Sequence, residues 1–114
     1  MKRKKRKKHS VEWLAEKKEL KELRKAALAR AENKCEWCGS TRKGLNCHHI
    51  LTRRIKELRT NKMNSVLLCP RCHKFGNLSA HNNPIRMSEW LKENRPLAWK
   101  VLKDWTNAAI QKEE

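Results

Sequence analysis

The chain has 114 residues, enough for one small domain, and its 29 lysine and arginine residues against 12 acidic ones leave a formal net charge of +17. A domain of this size buries a modest core and often needs a metal ion or disulfides to be stable. The positive charge indicates a polyanionic partner. No apolar run reaches the roughly 18 residues of a membrane-spanning helix, which excludes membrane insertion.

A run of lysine and arginine extends from Lys2 to Lys8 near the start of the chain. Because such a run repels itself, residues 1–9 are predicted to form a disordered basic arm that can bind phosphates without sequence preference. No apolar segment of the roughly 7–15 residues typical of a secretory signal follows the arm, so we expect a cytoplasmic protein.

A first helix is predicted from a Ser10 cap to about Asn33, because apolar residues recur there at near-helical spacing between charged ones. Two short apolar pieces follow, at residues 44–50 and 65–68, and both are predicted to be strands. A basic loop over residues 51–63 separates them.

Further helices are predicted on the carboxyl-terminal side. One should follow the Cys69-Pro70-Arg71-Cys72 turn, although Gly76 weakens it soon after it begins. Ser88 can cap another helix, and Pro96 interrupts the helical pattern before it resumes. Because no internal repeat and no Gly/Ser linker is present, residues 10–110 are predicted to form one domain.

Four of the five cysteines form two C-x2-C pairs separated by 30 residues, at Cys35 and Cys38 and at Cys69 and Cys72. Disulfides are rare in a reducing compartment, and each turn can present two thiolates to one ion, so the pairs predict a closed, tetrahedral, structural zinc site. Two unrelated redox or core pairs are the alternative, which the missing βαβ setting disfavours. Cys47 lies in an apolar stretch and is predicted to be a buried strand thiol.

A closed zinc site has no open coordination position, so catalysis would need a second group of ligands. Polar residues between and just beyond the cysteines supply such a group: His48, His49, Asn64, His73, Asn77 and His81. Each of them alone is compatible with an ordinary strand-end, capping or packing role. Their joint spacing favours a shared site, since Asn64 lies fifteen positions after His49 and His73 nine positions after Asn64.

Between Cys35 and Trp90 the sequence resembles the HNH endonuclease family, particularly its phage and bacterial members with two C-x2-C pairs. The matching pieces are Cys35-Glu36-Trp37-Cys38-Gly39, His48-His49-Ile50, Asn64-Ser65-Val66-Leu67-Leu68-Cys69 and Cys72-His73. The resemblance implies an α+β fold with a small ββα-metal core, at about residues 35–90, that contains the four-cysteine zinc site. Amino- and carboxyl-terminal helices would flank this core.

The resemblance also implies roles for the histidines and the asparagine. His48 and His73 would bind a catalytic divalent ion such as Mg²⁺, Mn²⁺, Ni²⁺ or Zn²⁺, and His49 would be the general base. Asn64 would hold the loop and orient His49. The third ligand usually follows four residues after His73, where this sequence has Asn77. It is therefore either Asn77 or His81, and we favour His81 because imidazole is the better ligand for a transition metal.

Basic side chains in the loop between the two motif halves are candidates for contacts to DNA: Arg53, Arg54, Lys56 and Arg59. The resemblance implies a metal-dependent endonuclease that nicks or cleaves double-stranded DNA, acting as a monomer or weak dimer in a bacterial or phage-infected cell. Analogy with phage relatives adds a role beside a terminase in DNA packaging. A non-catalytic zinc-ribbon DNA-binding protein is the alternative, and RNA is a less favoured substrate.

Overall fold

The computed structural model describes residues 10–41 and 43–113, so the predicted basic arm at residues 1–9 lies outside the described part of the chain. The elements follow in the order α1 (Val11–Arg30), β1 (Asn46–His49), a 3-10 turn (Lys62–Asn64), β2 (Ser65–Leu68), α2 (Pro70–His73), α3 (Pro84–Asn94) and α4 (Pro96–Glu113).

Helix α1 begins where the sequence predicts it and ends slightly earlier. The hydroxyl of Ser10 accepts a hydrogen bond from the Trp13 backbone N–H at 3.1 Å, which satisfies one of the free donors of the first turn. Glu32 and Asn33 then adopt positive φ angles of 53° and 58°, a left-handed conformation that stops the helix. Leu23 and Ala27 form the buried face.

The two predicted strands are present and pair as an antiparallel ribbon, in which His48 lies opposite Val66 and His49 opposite Ser65. Strand β2 is buried along its whole length, whereas β1 is partly exposed and shorter than the predicted 44–50 segment. The ribbon therefore presents the paired histidines at its end, next to the loop that connects the strands.

Helix α2 is a single turn with Pro70 at its first position, and Gly76 soon afterwards has a φ of +88° that ends any continuation. The chain then folds back on α2. The Ala80 N–H donates to the Cys72 carbonyl at 2.7 Å, and the His81 N–H donates to the His73 carbonyl at 3.0 Å. This return brings His81 beside His73.

The predicted start of α3 at Ser88 is wrong, because Asn83 caps the helix and Ser88 lies inside it. The Asn83 side-chain oxygen accepts from the Arg86 N–H at 3.0 Å, and Pro84 occupies the first helical position. Proline there has no N–H to leave unsatisfied and a preset φ, so the Asn-Pro pair starts the helix before serine can. The interruption at Pro96 is confirmed.

Two apolar clusters join these elements. One surrounds the cysteines and includes Val66, Leu68 and Met87, with Trp37 and Trp90 packed against it. The other fixes the loop between the strands to α3 and α4 through Leu58, Leu91, Ala98 and Leu102. The predicted fold class is confirmed: a ββα core with a four-cysteine cluster, flanked by helices. Over the described residues, no helix is long and apolar enough to cross a membrane.

Candidate metal centres and active site

The four cysteines of the two C-x2-C pairs meet at one point. The sulfurs of Cys35, Cys38, Cys69 and Cys72 all lie within 4.8 Å of one another, and the Cys38 and Cys69 sulfurs are 3.7 Å apart. A tetrahedron of thiolates about 2.3 Å from a zinc ion has edges of about 3.8 Å. Donor set and spacing therefore both fit a tetrahedral zinc site.

Local backbone structure presents these thiolates. In the first turn, the Gly39 N–H donates to the Cys35 carbonyl at 2.9 Å, and Gly39 has a φ of +74° that a glycine adopts without strain. The second pair spans the end of β2 and the single turn of α2, where the His73 N–H donates to the Cys69 carbonyl. Each turn thus directs two sulfurs to the same side.

The thiols influence one another strongly. Burial raises the pKa of Cys69, but a hydrogen bond from the Cys72 backbone and others from the neighbouring thiols outweigh burial and bring its pKa down to about 7. Burial raises the pKa of Cys72 and of Cys38, so their thiols hold their protons. A thiolate forms in this cluster at neutral pH, and thiolate is the form that binds a metal ion.

Three histidines, His48, His73 and His81, form a second cluster, in which His73 is the last residue of α2. The Nε2 atom of His73 lies 3.1 Å from Nδ1 of His48 and 2.8 Å from Nε2 of His81. Nitrogens about 2.0–2.1 Å from a tetrahedral zinc ion are about 3.3 Å apart, and the observed spacings of 3.1 and 2.8 Å are a few tenths of an ångström shorter than this. A small outward movement of the rings would admit one cation. The donor set suits a transition metal and, with three protein ligands, keeps an open position.

Two histidines of this cluster, His48 and His73, are held in their neutral, metal-binding form. Burial lowers the pKa of His48 to about 4, and repulsion from His73, His81 and His49 adds to the effect. Burial also lowers the pKa of His73, followed by the charges of His81 and Lys74. A ring nitrogen that carries no extra proton offers its lone pair to a cation.

His49 follows His48 along β1 but has a different partner. Its Nε2 atom lies 2.7 Å from the carbonyl oxygen of Arg59 in the connecting loop. Because a carbonyl oxygen only accepts, Nε2 carries the proton and the neutral ring has its lone pair on Nδ1. Burial lowers the pKa of His49, the Arg59 hydrogen bond opposes this, and the charge of Arg53 adds to the lowering.

Asn64 ties the connecting loop to the sheet from a fully buried position. Its side-chain oxygen accepts from the Leu51 N–H at 2.7 Å, while its amide donates to the carbonyls of Leu51 at 3.0 Å and Leu58 at 3.2 Å. Leu58 directly precedes Arg59, whose carbonyl meets His49. The contacts of Asn64 thus fix both ends of the segment that orients His49.

The remaining predicted site residues are placed as follows. Asn77 is exposed in the turn after α2 and lines a cavity beside the cysteine cluster. The predicted DNA contacts Arg53, Arg54 and Lys56 are exposed. Arg59 is partly buried and makes a salt bridge with Glu16 of α1 at 2.7 Å, so its guanidinium is already paired. Cys47 is half-buried in β1, rather than buried, and stays outside the cysteine cluster.

Sequence reasoning missed one residue that supports the cysteine site. The carboxylate of Glu36, between the first two cysteines, accepts from the Leu67 N–H at 2.6 Å and forms a salt bridge of 2.9 Å with Arg30. The Glu36 N–H in turn donates to the Leu67 carbonyl. Glu36 thus docks the first cysteine turn on β2. Its position within C-x2-C carried no signal of this role, because Leu67 is far away in sequence.

The fold and the two clusters of potential metal ligands define the class of protein: a small α+β metal-binding protein with a ββα core. Residues 35–75 match the model of the HNH endonuclease family. The match includes both cysteine pairs together with His48, His49, Asn64 and His73, and it ends before His81. No curated protein and no solved structure matches the chain. The resemblance to HNH endonucleases is confirmed over this segment, and it supports a nuclease-type function.

Proposed function

We propose that this protein is a metal-dependent endonuclease that hydrolyses phosphodiester bonds of double-stranded DNA. In this proposal His48, His73 and His81 hold the catalytic divalent ion, His49 is the general base and Asn64 positions it. The four cysteines hold a structural zinc ion. The observation that carries the proposal is that ring nitrogens of His48, His73 and His81 lie within 4.8 Å of one another. His49, the residue after His48, has its tautomer set by a hydrogen bond to a backbone carbonyl.

Hydrolysis of a phosphodiester needs a deprotonated water, a stabilised phosphorane-like transition state and a neutralised leaving oxygen. When bound, a divalent ion at the three histidines would supply positive charge against the phosphate and leaving oxygens. His49 Nδ1 accepts the proton of the attacking water, because Nε2 is already committed to the Arg59 carbonyl. Asn64 keeps that carbonyl in place by holding Leu51 and Leu58.

Between Asn77 and His81, we propose His81 as the third ligand, since its ring nitrogen lies 2.8 Å from that of His73. Asn77 lines the cavity next to the cysteines. The backbone hydrogen bonds that fold residues 80 and 81 back on α2 explain how a histidine eight positions after His73 comes to lie beside it, and this supports the proposal.

Relaxation of supercoiled plasmid tests the function and the third ligand together. We expect zinc-loaded wild-type protein to relax plasmid with added Mg²⁺, Mn²⁺ or Ni²⁺ and not with a chelator that spares the cysteine-bound zinc. His81→Ala should lose most of this activity because one of three ligands is gone, whereas Asn77→Ala should keep it. Metal content of each variant, measured by mass spectrometry, shows whether the ion itself was lost.

Two outcomes would contradict these assignments. Plasmid binding without cutting under every ion, with one metal per chain, would favour a zinc-ribbon DNA-binding protein, which needs the cysteine cluster alone. Full activity of His81→Ala together with an inactive Asn77→Ala would transfer the third position to Asn77.

Exposed basic residues of the connecting loop, Arg53, Arg54 and Lys56, are proposed to contact backbone phosphates near the scissile bond. Each phosphate neutralised contributes about −0.9 to the slope of log affinity against log salt on duplex DNA. Replacing all three by glutamine should therefore make the slope shallower by about 2.7, measured by fluorescence anisotropy with a duplex. Replacing three exposed lysines of α1, Lys17, Lys18 and Lys21, is the matched control. Equal slopes for the two triple variants would remove the loop from the proposed DNA interface.

A further inference from the structure

We propose that Glu16 of α1 is a positioning residue for His49 and that it acts through Arg59. This inference rests on the proposed role of His49 as general base. Glu16 lies outside the segment that matches the HNH family model, which begins at residue 35. Through Glu16, helix α1 would contribute to catalysis although it lies outside the matched segment.

The first link is an ion pair between α1 and the connecting loop. The Oε1 atom of Glu16 lies 2.7 Å from Nη1 of Arg59, and the two side chains are 33% and 28% exposed. A distance this short is typical of a charge-assisted hydrogen bond. The loop thereby gains a contact to a helix that is 43 residues away in sequence.

The second link is made by the backbone of the same residue. The carbonyl oxygen of Arg59 accepts the hydrogen bond from His49 Nε2 at 2.7 Å. Arg59 therefore contacts α1 with its side chain and the proposed base with its main chain. If the carbonyl turns away, the hydrogen bond that keeps the proton on Nε2 is lost. Some of the molecules then carry the ring proton on Nδ1, which leaves no lone pair on Nδ1 to accept a proton from water.

The third step is the dependence of Arg59 on Glu16. Its Nε atom is buried and makes no hydrogen bond within the described residues. Without the Glu16 carboxylate, the partly buried guanidinium of Arg59 would lack its ion-pair partner. Hydration would then draw the guanidinium toward solvent. The preceding residue is held by its buried side chain and by Asn64. Any displacement therefore falls on Arg59 and its carbonyl.

The test compares Glu16→Gln, Arg59→Met and the double variant with wild type. Gln keeps the shape of Glu16 without its charge, and Met removes the guanidinium while leaving the carbonyl. Glu19→Gln is the matched control, since Glu19 is exposed one turn further along α1 and lines the same cleft between α1 and the loop. The readouts are the His49 tautomer, from imidazole ¹⁵N shifts of zinc-loaded protein, and the single-turnover nicking rate.

We expect Glu16→Gln and Arg59→Met each to raise the Nδ1-protonated fraction of His49 and to slow nicking about twofold to fivefold, the range that a partly exposed ion pair can supply. The apparent KM of Glu16→Gln for DNA should not increase. The double variant should be no slower than the slower single variant, because both changes break one connection.

A His49 tautomer that is the same in Glu16→Gln and wild type overturns the proposal, even if the melting temperature falls. Rate losses that multiply in the double variant, or that Glu19→Gln reproduces, overturn it as well. If wild-type protein cuts no DNA, the proposed function fails by itself, and the tautomer still decides whether Glu16 fixes the His49 ring.

Discussion

His49→Ala should lower the rate of metal-dependent plasmid nicking by about 10² to 10⁴ at unchanged zinc content, because loss of a general base costs this much. In the proposed mechanism the ring is oriented for proton transfer, since Nε2 donates to the Arg59 carbonyl and the lone pair of the neutral ring lies on Nδ1. The rate is measured under single-turnover conditions with saturating protein, which separates chemistry from DNA binding. Affinity for an uncut duplex should stay close to that of wild type.

A second variant, His49→Gln, separates proton transfer from structural support. Its side-chain amide can donate a hydrogen bond to the Arg59 carbonyl but cannot accept a proton from water at neutral pH. It should therefore be as slow as His49→Ala while keeping the wild-type melting temperature. Added imidazole should restore part of the activity of His49→Ala. Nicking by His49→Gln within a fewfold of the wild-type rate would exclude a general-base role.

Cys72→Ser should remove one metal ion per chain. The variant should already be unfolded at room temperature and so show no cooperative unfolding transition on heating. Zinc binding contributes about 10–16 kcal/mol in small zinc domains, comparable with or above the whole stability of a domain of about 5–15 kcal/mol. Three of the four cysteines are buried in the cluster that also holds Val66, Leu68 and Met87. Circular dichroism during heating, together with metal content by mass spectrometry, measures the effect.

Cys47→Ser is the matched control for the zinc prediction, since Cys47 is a half-buried free thiol in β1 outside the cluster. It should keep two metals per chain and melt within a few degrees of wild type. A Cys72→Ser protein that melts cooperatively near the wild-type temperature would show that the apolar contacts suffice and that the cysteine site is not the main support of the fold.

The cysteine frame could be predicted because C-x2-C is a local device. A tight turn presents both sulfurs to one side whatever surrounds it, so four cysteines at this spacing already indicate one ion. The strands were predictable for a similar reason, since β2 is a short apolar run bounded by polar residues. The start of α3 was predicted wrongly, because serine and asparagine can both cap a helix and the proline after Asn83 decided between them.

Sequence alone determined the fold class, the cysteine cluster and the residues from which a histidine site could be built, because each depends on local spacing or on a motif. Tertiary structure decided which of them meet. The return of the chain over α2 brings His81 to His73 across eight positions, and the Glu16–Arg59 pair spans 43. Such contacts depend on the three-dimensional path of the turns and loops. The length of a loop in the sequence does not specify which part of the fold its residues reach. For that reason no spacing in the sequence pointed from α1 to the carbonyl that orients His49.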